Sequence, residues 1–126
     1  MKIVADAGAL IALERNDAQV VALYARETAA GRVWWTHGGI VGQVWRTGTG
    51  KQARLAKYVA GMRVIALDEG LGKRAGVLLG RARRSDVNDA AIVLLAEPGD
   101  QVLTADPDDL GPLAEAAGLE IDLIQV

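Results

Sequence analysis

Four aspartates and a glutamine occupy positions from which they could act together on a phosphodiester. Asp6 closes the apolar run "KIVA", and Asp106 follows "QVLT". Asp86 and Asp89 stand three apart at the head of "SDVNDAAIVLLAE", and Gln43 lies inside "HGGIVGQVWR". A spacing of three puts Asp86 and Asp89 on one face of a helix's first turn. Carboxylates gathered at one place repel, and a hard cation such as Mg²⁺ or Mn²⁺ with oxygen ligands relieves that repulsion. Such an ion beside an open groove suits phosphodiester hydrolysis, because it polarises the phosphate and acidifies the attacking water.

Each acid also has a plainer role. Asp6 serves equally well as a cap for the helix after it, and Ser85-Asp86 reads as a cap too. Asp106-Pro107 resembles an N-cap followed by proline at the first helical position, while Asp108 and Asp109 suit the positive end of the helix dipole. Asp89 is harder to explain away, because it follows the cap and precedes the apolar run Ala90, Ala91, Ile92. A carboxylate there needs a partner or a cation. The arginines at 81, 83 and 84 precede this helix without an evident role in serving it.

The elements that must position these residues alternate. Strands are expected at "KIVA", "RVWWT", "RVIAL", "QVLTA" and "EIDLIQV". Helices are expected at "GALIALE", "AQVVALYARETAA" (capped by Asp17 and closed by Gly31), "HGGIVGQVWR" up to a break at "TGTG", "KQARLAKYVA", the run from Asp68 to Arg84, "SDVNDAAIVLLAE", and "DPDDLGPLAEAAG". Alternation of this kind implies a parallel sheet covered on both faces, with ligands outside the carboxyl ends of the strands. Asp6 and Asp106 then fall at that edge. Asp86 and Asp89 join them because their helix leads down into the fourth strand, and Gln43 lies about one turn into the helix leaving the second.

The 126 residues, with no repeat or linker, read as one domain over residues 1–126. No cysteine is present and there is one histidine, so a thiolate metal site, a disulfide framework and a histidine-rich zinc cage are excluded. The net charge of -2 provides no global basic field. No stretch approaches the ~20 apolar residues of a membrane helix. "MKIVADAGALIAL" reads as a buried strand and helix instead of a signal peptide, so the expected compartment is the cytoplasm.

Four pieces of the chain, "IVADAGALIALE", "HGGIVGQVWR", "SDVNDAAIVLLA" and "VLTADPDDL", occur in an order that resembles PIN-domain ribonucleases of the VapC toxin type over essentially the whole length. The resemblance implies a three-layer α/β/α sandwich with a five-stranded parallel sheet and Mg²⁺- (or Mn²⁺-) dependent cleavage of structured RNA. It also implies a homodimer and inhibition by a cognate VapB-like antitoxin. Asp6, Asp89 and Asp106 match the family's metal-binding acids, Asp86 is an auxiliary acid, and Thr104 takes the hydroxyl position before Asp106. The family's second acid, normally glutamate, corresponds here to Gln43. An amide can coordinate through its oxygen but adds no charge and cannot act as a base. The alternative is therefore a weakened or silent PIN module that binds RNA or a partner without cutting.

For RNA, Arg46, Lys51, Arg54 and Lys57 form one candidate patch, and Arg81, Arg83 and Arg84 a second, although solvated helix faces explain such charges as well. Arg46 ranks first, being about one turn from Gln43. Trp45 could stack on a base but reads more readily as a buried or partner-facing residue, Trp34 and Trp35 read mostly as core, and His37 as a capping or surface residue. Leu10, Leu13, Val20 and Tyr24 offer either an antitoxin groove or ordinary core. A phospho-receiver with Asp68 as acceptor ranks lowest, because Asp6 lacks a paired acid beside it.

Overall fold

The computed structural model describes residues 1–47 and 50–126, apart from the Lys51 side chain. Part of the break expected at "TGTG" falls on Gly48 and Thr49, outside the described residues. The element order is β1 (Ile3–Ala5), α1 (Ala7–Glu14), α2 (Ala18–Ala29), β2 (Trp35–His37), α3 (Gly38–Val44), α4 (Gly50–Ala60), β3 (Arg63–Ile65), α5 (Glu69–Ala82), α6 (Val87–Leu95), β4 (Gln101–Thr104), α7 (Pro107–Ala117) and β5 (Asp122–Gln125). The expected α/β class holds, with five parallel strands and seven helices among the described residues.

Strand order is β3-β2-β1-β4-β5, every pair parallel. Val4 faces Trp35 on one side and Val102 on the other, so β1 is central and buried throughout. The chain steps outward from β1 through β2 to β3, then returns to β4 on the far side of β1 and continues to β5. Crossovers of one hand place helices on one face while the chain steps one way and on the other face when it reverses. Accordingly α1 packs with α2, α3 and α4, while α5, α6 and α7 pack with one another. The result is a three-layer sandwich whose core joins Val4, Leu10, Leu13, Ile40 and Leu55 to Ile92, Val102, Leu103, Leu110 and Leu113.

Local chemistry sets most boundaries. Asp17 caps α2 by accepting from the Val20 N–H, and Asp68 caps α5 by accepting from Leu71, each cap contributing about 1 kcal/mol. Gly31 and Gly118 end helices with positive φ, as expected. The second strand begins later than "RVWWT" suggested. The Arg32 N–H instead finishes the turn of α2 on the Glu27 carbonyl, and its guanidinium pairs with the buried Glu27 carboxylate. Trp34 is buried against the edge of Tyr24, and His37 is the last residue of the strand, not the first of a helix. α5 ends on Arg83 in the left-handed region (φ 55°), a conformation that costs a non-glycine residue about 1 kcal/mol. Among the described residues no helix is long and apolar enough to cross a membrane.

Candidate active site

The strand order reverses between β1 and β4, and a crevice opens at such a switch point. Asp6 follows β1 and Asp106 lies just past β4, so both stand on adjacent strands at that crevice. The Asp6 N–H extends the ladder to the Leu103 carbonyl at 3.1 Å, tying this acid to the end of β4. Gly8 permits the close approach. A Cβ there would lie 2.5 Å from Ala105 Cβ and 2.7 Å from the Ala105 nitrogen, so only a bare backbone lets α1 meet the loop carrying Asp106.

Asp6 is a cap, its Oδ1 accepting from the Gly8 N–H at 2.8 Å, yet that role does not account for its setting. It is 8 % exposed, and burial raises its pKa against the opposing pull of the Thr104 hydroxyl and the Gly8 and Ala9 N–H groups. The charge of Asp106 pushes in the same direction as burial. Thr104, fully buried, also accepts from the Asp106 N–H at 2.9 Å, so one hydroxyl sits between the two acids. Asp106 holds the N-cap position before Pro107, but its side chain makes no capping hydrogen bond among the described residues. Its pKa is raised by a hydrogen bond with Asp109 and then by that residue's charge.

The second pair comes from α6. Asp86 caps the helix through Oδ1, accepting from Asn88 at 2.9 Å and Asp89 at 3.1 Å. Asp89 is half-buried beside the buried Ala90, Ala91 and Ile92. Its pKa rises to about 6, first through burial and then through the charges of Asp86, Asp6, Asp109 and Asp106. Asp6, Asp86, Asp89 and Asp106 therefore share one electrostatic field, as the sequence suggested. Asp109, which sequence reasoning gave to the helix dipole, belongs to the same field. Its place one turn beyond Asp106 was the available signal.

A cleft of about 210 Å³ opens here, lined by Arg84, Ser85, Asp86, Asp89, Asp109 and Leu113. Arg84 stands 3.9 Å from Asp109, so one of the arginines preceding α6 does reach the acids, contrary to the sequence reading. Every acidic donor here is a carboxylate oxygen, a set suited to a hard cation and not to a soft metal. Among the described residues no group of three or more His, Asp or Glu side chains is arranged to hold a metal ion, so the acids share a field and not a ready coordination sphere.

His37 is committed elsewhere. Its Nδ1 accepts from the Gly39 N–H at 3.0 Å, which puts the proton on Nε2, where it is donated to the Asn88 carbonyl at 3.0 Å. Burial lowers its pKa, which keeps it in this neutral form. The capping role is thus correct, but the residue is fully buried and not at the surface. The interlock seats the start of α3 against the start of α6, and a Cβ on Gly39 would lie 2.1 Å from the Asn88 side-chain oxygen. Gln43, four residues beyond Gly39, lies on the same stripe of α3 and is exposed.

No family model matches this chain, and no curated protein matches it.

The expected cationic patch on α4 is differently employed. α3 stops at Val44 and Trp45 is extended (ψ 128°), so Arg46 does not share a helical face with Gln43. The Arg46 guanidinium turns back to the Gly42 and Trp45 carbonyls at the end of α3. Arg54 donates to the Glu14 carbonyl at 2.7 Å, closing the end of α1. The Lys51 side chain lies outside the described residues. Trp45 is exposed, Trp35 is half-buried between Lys2 and Arg63, and Leu10, Leu13 and Val20 are core instead of a groove. Tyr24 packs edge-on against Trp34 and Tyr58.

Proposed function

We propose that this chain is a divalent-metal-dependent endoribonuclease of the kind its sequence resembles. One observation carries the reading: Asp6, Asp86, Asp89 and Asp106 converge at the switch point of the sheet in a shared field that holds Asp89 at a pKa of about 6. Drawn closer together by an ion than they stand here, Asp6, Asp89 and Asp106 would hold Mg²⁺ or Mn²⁺, with Asp86 and the Gln43 amide as auxiliary oxygens. A bound ion would polarise the scissile phosphate and lower the pKa of the attacking water. Taking the ion would displace the proton that Asp89 otherwise keeps up to a pH of about 6. Thr104 and the Gly8 N–H orient Asp6, and Arg84, 3.9 Å from Asp109 in the same cleft, would steady the phosphate. The resemblance extends the reading to a cytoplasmic homodimer restrained by an antitoxin.

A second reading, a silent module that binds RNA without cutting it, is favoured by Gln43, which cannot serve as base or charged ligand. Cleavage of a panel of structured RNAs in Mg²⁺ and in EDTA, for the wild type, Asp6→Asn, Asp89→Asn and Gln43→Glu, separates the two. The nuclease reading expects metal-dependent cleavage by the wild type and its loss in both asparagine variants. Full activity in those variants would sink the mechanism, and activity only with Gln43→Glu would establish the silent module.

A further inference from the structure

The position of Arg83 points to a track for the RNA backbone along the end of α5, on the opposite side of the sheet from α4. Five described residues have positive φ: three are glycine, one is Asn16, and the fifth is Arg83 at φ 55°. Glycine adopts that conformation without steric cost and asparagine tolerates it, whereas a long side chain gains nothing from it. Arg83 and Arg81 are exposed, and neither forms an ion pair or side-chain hydrogen bond among the described residues. The turn itself closes α5, the Arg83 and Arg84 N–H groups both bonding to the Leu79 carbonyl, but glycine would close it without strain, so the unpartnered guanidinium points to a role outside the chain.

The surroundings supply further arginines. Arg84 lines the cleft that holds Asp86, Asp89 and Asp109. On the other side of Arg83, Arg81 and Arg74 flank a largely apolar groove of about 360 Å³ lined also by Val77, Leu78, Leu94 and Ala117, where Lys73 is already paired with Glu69 at 3.0 Å. From Arg74 to Arg81 is seven residues of helix, about 10 Å along the axis. The basic run thus leads out of the acidic cleft for a length that suits several phosphates of a polymer and not one small anion. By contrast, Arg46 and Arg54 on the α4 side already donate to helix carbonyls.

We infer that single-stranded RNA leaves the acidic cleft over Arg84, Arg83 and Arg81, with Arg83 held in its left-handed conformation to contact the backbone. The inference rests on the nuclease reading and names the path of its substrate.

The test is Arg83→Gly beside Arg83→Lys and Arg54→Ala, in the full chain. Glycine relieves the left-handed strain while loosening the unfolded chain, so the melting temperature should equal the wild-type value or exceed it by up to about 3 °C. RNA binding should nevertheless weaken. For a fluorescent single-stranded RNA oligonucleotide in EDTA, affinity should fall about fivefold, and the salt dependence of log K should flatten by about 0.7. Arg83→Lys should recover the salt slope, and in Mg²⁺ the glycine variant should show a raised KM at unchanged kcat. An unchanged slope in Arg83→Gly, or a flattened one in Arg54→Ala instead, overturns the track and leaves the nuclease reading standing. Tighter binding of polyglutamate of matched charge than of RNA overturns it in favour of an acidic protein partner. A wild type that neither binds nor cleaves RNA overturns both.

Discussion

Replacing Asp89 by asparagine should stabilise the metal-free protein, and the gain should depend on pH. In the folded chain Asp89 keeps its proton up to a pH of about 6, against 3.8 for an ordinary aspartate, because it is half-buried and faces Asp86, Asp6, Asp109 and Asp106. The unfolded chain gives up that proton near 3.8, so the folded state holds more protons between 3.8 and 6 and loses stability as pH rises through that window. Two units at 1.36 kcal/mol each set a ceiling of about 3 kcal/mol, and solvent screening of a half-exposed group reduces it to about 1.5 kcal/mol. Asparagine is neutral and of the same shape, so Asp89→Asn should melt about 5 °C above the wild type at pH 8 in EDTA. At pH 4.5 about a third of the gain should remain. Mn²⁺ should reverse the ranking, raising the wild-type melting temperature while leaving the variant unmoved. Melts followed by circular dichroism at the two pH values, with and without Mn²⁺, check all three statements. Equal stabilisation at both pH values, or destabilisation at pH 8, would refute the shared acidic field.

Further expectations follow from the same geometry. Metal binding must displace the proton on Asp89, so Mn²⁺ affinity measured by calorimetry should fall towards tenfold per pH unit below about 6. Gly8→Ala, whose Cβ would meet the Ala105 backbone, should cost about 2 kcal/mol in urea denaturation and reduce cleavage by separating Asp6 from Asp106. His37→Ala leaves the Gly39 N–H and the Asn88 carbonyl without their partner and should cost about 2 kcal/mol by the same assay. Gln43→Glu, at an exposed site, should change stability by less than about 0.5 kcal/mol and raise Mn²⁺ affinity about tenfold.

Much of the site was readable before folding because helix starts announce themselves. Asp6, Asp86 and Asp106 precede helices in a strand-helix alternation, and a parallel sheet brings such starts to one edge. Asp89 stood out as an acid in an apolar run. What escaped notice depended on where helices end and what their ends touch. Arg46 seemed to share a face with Gln43 until α3 was found to stop at Val44. Asp109 seemed an ordinary first-turn acid until α7 packed beside α6, and Arg84 seemed idle until the same packing set it against Asp109. Likewise "RVWWT" has the composition of a strand throughout, but its first residues complete the turn of α2.

The chain's own pattern thus determined the class of fold, the caps and the identity of the acids. These are local properties, set by side-chain type, hydrophobic period and backbone preference within a few residues. The tertiary structure alone decided that β1 lies beside β4, so that Asp6 and Asp106 meet where the strand order reverses. It also decided that Gly8 lets α1 meet the loop carrying Asp106, that Gly39 lets α3 meet the start of α6, and that burial together with four neighbouring charges raises Asp89 to a pKa of about 6. Apart from the local push of Asp86 on Asp89, those outcomes come from Coulombic and steric interactions between residues far apart in sequence, whose strength depends on distances that local pattern does not specify.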